Sequence, residues 1–132
     1  MEIAAVGLRR VLDAGFDAVL AGLPEALESE GFGVLTEIDV ERTLAEKLHV
    51  EFRRYRILGA CNPPLAHRAL QADLEIGLML PCNVVVYEAD EGHTVVSAVD
   101  PERMAPAGAD PRVRAVAAEV KQKLERVLAR LR

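Results

Sequence analysis

Tryptophan is absent from the 132 residues, and other aromatics are few: three Phe and two Tyr. A core made from this chain is therefore expected to rest on Leu, Val, Ile and Ala. Cysteine occurs only twice, at Cys61 and Cys82, without the compact Cys-x-x-Cys spacing of a zinc site. A metal shared by the two cysteines would need one or two of His49, His67 and His93, and no metal ligands are assigned on that basis. There is no glycine-rich phosphate loop with a lysine, no dinucleotide fingerprint and no serine-hydrolase elbow, so no cofactor is specified. Uninterrupted apolar runs last only a few residues, far short of a membrane span. The opening MEIAAVGLRRVLDAG has an acidic second residue and no long apolar region, unlike a signal peptide. Two cysteines without a secretion signal point to a reducing compartment, and a soluble cytoplasmic protein is expected.

The length suits one domain, 1–132, large enough to bury its apolar surface without metal or disulfide. The net charge of −5 is uneven. From Asp110 to Arg132 there are seven Lys or Arg against three Asp or Glu, which leaves −9 on the rest. Net acidity disfavours nucleic acid as a partner. The basic end favours an acidic surface, including the acidic body of a second copy.

In chain order, 3–12 is expected to be a strand that includes Val6, and Phe16 to Glu30 a helix. Pro24 should kink or split that helix after Gly22, and Gly31 should close it. A strand over 32–38 places Phe32, Val34, Thr36 and Ile38 on one face. Asp39 caps a short helix with Leu44 and Leu48 inward. A strand over 52–60 alternates a cationic face (Arg54, Arg56) with a buried one (Tyr55, Ile57). Asn62-Pro63-Pro64 opens a helix with Leu65, Ala66, Ala69 and Leu70 as its apolar stripe. Val84 to Tyr87 reads as a central strand covered on both faces. Asp90-Glu91-Gly92 turns into a returning strand, 94–99. Asp100-Pro101 starts a helical turn, 105–110 is an internal linker, and Asp110-Pro111 starts the longest helix. Val113, Val116, Ala117, Val120, Leu124, Val127, Leu128 and Leu131 line one face of that helix. The order β-α-β-α-β-α-β-β-α predicts an α+β domain: one sheet of about five strands with helices mainly on one face.

Chemistry concentrates between Leu58 and Glu88, where Cys61-Asn62 and Cys82-Asn83 repeat the same dipeptide near His67. Asn62 suits an N-cap and Pro63 the first helical position. Two successive prolines remove two N–H groups, which makes this helix start a poor phosphate cradle. Cys61 beside the helix dipole is a candidate nucleophile with His67 as its base. The alternative is that Cys61 is a small buried residue closing a strand. Cys82, after Pro81, faces the same choice. If the two strands are antiparallel neighbours, Cys61 and Cys82 share one edge; if parallel, they lie at opposite ends. The candidate catalytic residues are thus Cys61, His67 and Cys82, and the candidate ligand-binding residues are Cys61, Asn62, His67, Cys82 and Asn83.

The runs ILGACNPPLAHRAL and IGLMLPCNVVVYE, with EGFGVLTEIDV before them and VVSAVDP after, resemble the domain-of-unknown-function family numbered 302. The resemblance spans nearly the whole chain and departs at Leu74, where similar sequences often carry proline. It implies a two-layer α+β arrangement similar to the TATA-binding-protein fold class, with a tendency to dimerise, and it implies no activity. Three readings stand: a homodimeric module that binds or senses a small ligand near the Cys-Asn segments; a thiol or redox enzyme using Cys61 with Cys82; and a protein-interaction domain that docks through its long basic helix.

Overall fold

Strand alternation decides which side chains of this chain meet, and the register shows the result. A computed structural model describes residues 2–3, 7–105 and 107–132. Its strands are β1 (Glu2–Ile3), β2 (Gly7–Leu12), β3 (Gly33–Asp39), β4 (Tyr55–Cys61), β5 (Cys82–Glu88) and β6 (Thr94–Val99). They form one sheet in the order β1-β2-β6-β5-β4-β3, with every neighbouring pair antiparallel. Leu8, Ala98, Val84 and Leu58 align in one row across four strands, and all are buried. Helices α1 (Phe16–Glu28), α3 (Pro63–Ala72) and α5 (Pro111–Arg130) cover that face. Helix α2 (Val40–Leu48) joins β3 to β4, and the four-residue α4 (Pro101–Met104) precedes α5. The α+β expectation holds, with the two-residue β1 as an extra strand. Residues 4–6, including Val6 of the predicted first strand, lie outside the described residues, as does Pro106 of the predicted linker. Among the described residues no helix is long and apolar enough to cross a membrane.

Helix α5 supplies the largest single contribution to the core. Its whole predicted face is buried, from Val113 to Leu128, and Leu131 follows just beyond the helix. Leu124 and Leu128 are fully buried, each worth about 1.5–3 kcal/mol relative to exposure. Asp110 caps its start by accepting from the Arg112 N–H. The Arg112 guanidinium beside it lowers the Asp110 carboxyl to about 2. At the other end, the Arg10 guanidinium donates to the carbonyls of Leu128 and Leu131, satisfying groups a helix terminus leaves open.

Several expectations are corrected. Helix α1 runs unbroken through Pro24. Proline costs one helical bond, but burial of Phe16, Val19, Leu23 and Leu27 along one face spans both sides of it, and the helix is not split after Gly22. The phase of β4 is reversed: Leu58 and Ala60 are fully buried, while Tyr55 and Ile57 are half-buried on the open face. A shift of one residue moves every side chain to the other face. Arg56 sits on the covered side's rim, where Glu37 at 2.6 Å and Asp39 at 3.3 Å neutralise it. Arg54 precedes the strand, its guanidinium 4.3 Å from the Phe16 ring centroid and 2.6 Å from Asp17. On the open face Tyr55 and Tyr87 stack with centroids 5.2 Å apart. Strand β5 is central but covered on one face only: Val84 and Val86 are buried and Val85 is half-buried.

The β3–α2 corner departs furthest. A bulge between Val34 and Thr36 breaks the alternation predicted for 32–38. Val34 pairs with Ala60 but Thr36 with Gly59, so the predicted single apolar face is split between the two sides. Helix α2 buries no residue, and Leu48, predicted to point inward, is 63 % exposed.

Candidate functional site

Strand β4 ends at Cys61 and β5 begins at Cys82, and the two are antiparallel neighbours with Ala60 opposite Cys82. Both cysteines therefore lie at one edge, the arrangement required for them to act together. Neither is in a disulfide. Alternation puts Cys82 with Ala60 on the covered face and Asn83 with Gly59 on the open face.

A cavity of about 40 Å³ lies under this edge, lined by Phe32, Cys61, Asn62, Leu65, Leu80 and Cys82 among others. A second, of about 70 Å³, shares Leu80 and Cys82 and extends past Met79 and Met104 to α5. Cys82 thus borders both apolar spaces, as do Ala69, Leu80, Val116 and Val120. Burial, and secondarily the neighbouring Cys61 thiol, push the Cys82 thiol up to about 11. At neutral pH Cys82 is a protonated thiol, a weak nucleophile.

Asn62 is 8 % exposed at the rim of the smaller cavity, and it does not cap α3 with its side chain. Part of the reason is in the sequence: Pro63 and Pro64 have no N–H, which leaves a cap only the Leu65 N–H. Its amide turns the other way, donating from Nδ2 to the Glu30 carbonyl at 3.1 Å. Gly31, at φ 85°, lets this happen: a Cβ there would lie 3.0 Å from Asn62 Nδ2. Asn62 so ties the start of α3 to the turn that leads from α1 into β3.

The five candidate ligand-binding residues therefore divide. Cys61, Asn62 and Cys82 line one cavity. His67 is exposed on α3 and Asn83 is exposed on the open face, and neither lines either cavity. Among the described residues, no three His, Cys, Asp or Glu side chains cluster as metal ligands. His93, remote from the cysteines in sequence, stands 3.2 Å from Asp13.

Two features of this end went unread in the sequence. Met79, at the end of the 3₁₀ turn Leu74–Met79, and Met104, at the end of α4, face the same cavity as Cys82. Their spacing follows no motif, so only the fold unites them. Asp100, read as a cap, does accept from the Glu102 N–H at 3.0 Å. Its side chain is also 1 % exposed, with Oδ2 3.1 Å from Lys121 Nζ of α5. Gly59, opposite both Thr36 and Asn83, makes room for its neighbours. A Cβ there would strike Thr36 Oγ1 and come within 2.7 Å of Pro81 Cγ.

Comparison with known proteins gives a consistent result. The model of the family described as domain of unknown function DUF302 matches residues 8–131. A crystal structure of an uncharacterized conserved DUF302 protein from Bacillus stearothermophilus superposes with a TM-score of 0.89 at 33 % identity. That match covers 98 % of this chain and 100 % of the other. No curated protein matches. By sequence and by architecture alike, the chain belongs to the DUF302 family.

Proposed function

We propose that the domain is a homodimeric module that binds or senses a small ligand at the edge formed by the ends of β4 and β5. The observation that carries this reading is the pair of apolar cavities meeting at Cys82, with Cys61 and Asn62 on the rim of one. Apolar concavities with a few convergent polar groups are where ligands bind, although these two are well below the usual size. The spaces are small, so the ligand is a small group or ion rather than a nucleotide. Free thiols suit a reducing, cytoplasmic setting. The protonated Cys82 weighs against the alternative thiol-enzyme reading, which needs a resolving thiolate. Burial of the α5 stripe against the chain's own sheet weighs against its use for docking a different protein.

The β3–α2 corner supports a second copy as partner. Leu35 is 66 % exposed, and Ile38, Leu48, Val50 and Phe52 are exposed around it. One side of β3 pairs with β4, and the other is an open edge of the sheet. Antiparallel self-pairing centred on Thr36 sets Glu37 against Leu35 and Asp39 against Gly33, so no carboxylate meets its own copy. A fragment screen by amide NMR tests the ligand reading. Binding should shift the amides of Ala60, Cys61, Asn62, Leu65 and Cys82 and spare His67 and Asn83; a screen with no shifts at this edge rejects it. Sedimentation tests the dimer, with Leu35→Lys expected to give a folded monomer.

A further inference from the structure

The chemistry of a ligand at the β4–β5 edge is set by what the cavity walls withhold. In the larger cavity α5 supplies Val113, Val116 and Val120, the 3₁₀ turn Ile76 and Met79, and α4 Met104. No carboxylate, cation, imidazole, amide or hydroxyl side chain reaches this lining, and Cys82 adds only a protonated thiol. A buried water makes roughly three hydrogen bonds, and these side chains offer almost none. An ion would give up its hydration with no side chain to replace it. The smaller cavity has Asn62 at its rim, but that amide already donates to the Glu30 carbonyl. The two spaces, of about 70 and about 40 Å³, share five lining residues, so they are neighbours parted by aliphatic side chains and a thiol. A single apolar cavity of about 150 Å³ stays dry and accepts benzene. Two smaller neighbouring spaces suit a narrow chain better than a ring.

We propose that these cavities take the end of one uncharged aliphatic chain, which enters the larger space beside Met104. This rests on the reading of the β4–β5 edge as a ligand site and gives that ligand its chemical class. Met104 is 38 % exposed, so the lining it belongs to reaches the surface. The turn that supplies Ile76 and Met79 also carries Leu74 and Leu78, which are 85 % and 82 % exposed. Apolar surface therefore continues along this turn from the cavity lining to solvent, as at the mouth of a site for an apolar ligand. Methionine is unbranched and flexible, which lets the wall adapt to the chain it meets. Binding makes and breaks no covalent bond; the gain is the apolar surface of the chain removed from water.

The intact protein is titrated with straight-chain primary alcohols, from ethanol to octanol, and followed by amide NMR. The expected result is shifts at Ile76, Met79, Cys82, Val116 and Val120. Affinity should rise about fourfold for each added methylene until the space is full, and then level off. The terminal diol of butane should bind roughly tenfold more weakly than n-butanol, because its far hydroxyl would be buried without a partner. Val120→Ala shortens a side chain common to both cavities and should move the levelling point to a longer alcohol. Ala117 lines only the larger of the two, and Ala117→Leu should abolish binding with its folding checked by thermal melting. If that variant does not fold, the Val120→Ala series decides. Affinity that does not depend on chain length, equal binding of the diol, or an unchanged levelling point in Val120→Ala overturns the assignment. If fragments shift Cys61 and Asn62 but no alcohol binds, the aliphatic class fails while the ligand site stands. If neither shifts this edge, both readings fail.

Discussion

The covered half of the sheet and the β3–α2 corner are built from similar residues but reach different ends. In the covered half, β2, β6, β5 and β4 present one row after another to α1, α3 and α5, and the inward side chains are almost fully buried. In the corner, an edge strand exposed nearly throughout leads to a helix with no buried residue. Both contain Leu, Val and Ile. The difference is what lies opposite. The covered half meets α1, α3 and α5, whereas in the corner β3 is paired on one side only and α2 buries nothing. A chain can so bury its Leu, Val and Ile in one region and leave others of the same type exposed in another.

The sharpest test of this contrast is a matched pair of truncations. Leu124→Ala should destabilise the protein by about 2–5 kcal/mol in urea unfolding, because it opens a cavity under fully buried neighbours. Leu48→Ala should stay within about 0.5 kcal/mol, as expected for an exposed position. Equal losses would erase the distinction between the two regions.

Gly59→Ala probes the seam between them. The added methyl meets Thr36 of the corner and Pro81 of the β4–β5 edge, and overpacking of this kind costs about 1–3 kcal/mol. Thermal melting of this variant beside Gly33→Ala, where a Cβ meets open space, isolates the steric cause. Asn62→Ala should cost about 1 kcal/mol. The loss arises from the bond to Glu30, so it should appear as faster amide exchange at Gly31 and Phe32, with α3 itself protected.

The last effect is in pH and is absent near neutrality. The Cys82 thiol is held at about 11 against an ordinary value of 9.0. Below pH 9 both folded and unfolded chains carry the proton, and stability is unaffected by this group. Between 9 and 11 the unfolded chain ionises first, so stability falls as pH rises. Cys82→Ala should flatten that fall, and iodoacetamide should modify Cys82 with a rate midpoint near pH 11.

Much of the covered half was readable from sequence. The α5 stripe repeats at helical spacing over 20 residues between an Asp-Pro start and a basic end, and its buried set matches the prediction residue by residue. The phase of β4 was not readable. Tyr55 and Ile57 look more like core than Leu58 and Ala60 do, and the choice is made by register with β3 and β5. The bulge at Leu35 has the same origin, since it depends on what Gly59 allows across the strand pair. At the site, adjacency of Cys61 and Cys82 was legible only as one of two alternatives, because sequence does not fix strand direction across a helical connection. Asn62 does stand at the N-cap position of α3, but its side chain bonds the turn after α1 instead; the two prolines after it hold part of the clue. Met79 and Met104 gave no signal, for only the fold sets both on the lining of one cavity.

Gly59 has one more consequence. With no side chain of its own, it is a shared socket: Thr36 enters from the outer edge and Pro81 from the strand that carries Cys82. Any side chain placed here would meet both at once. The bare backbone at this one position thus lets β3 and the residue next to Cys82 pack against the same point of β4.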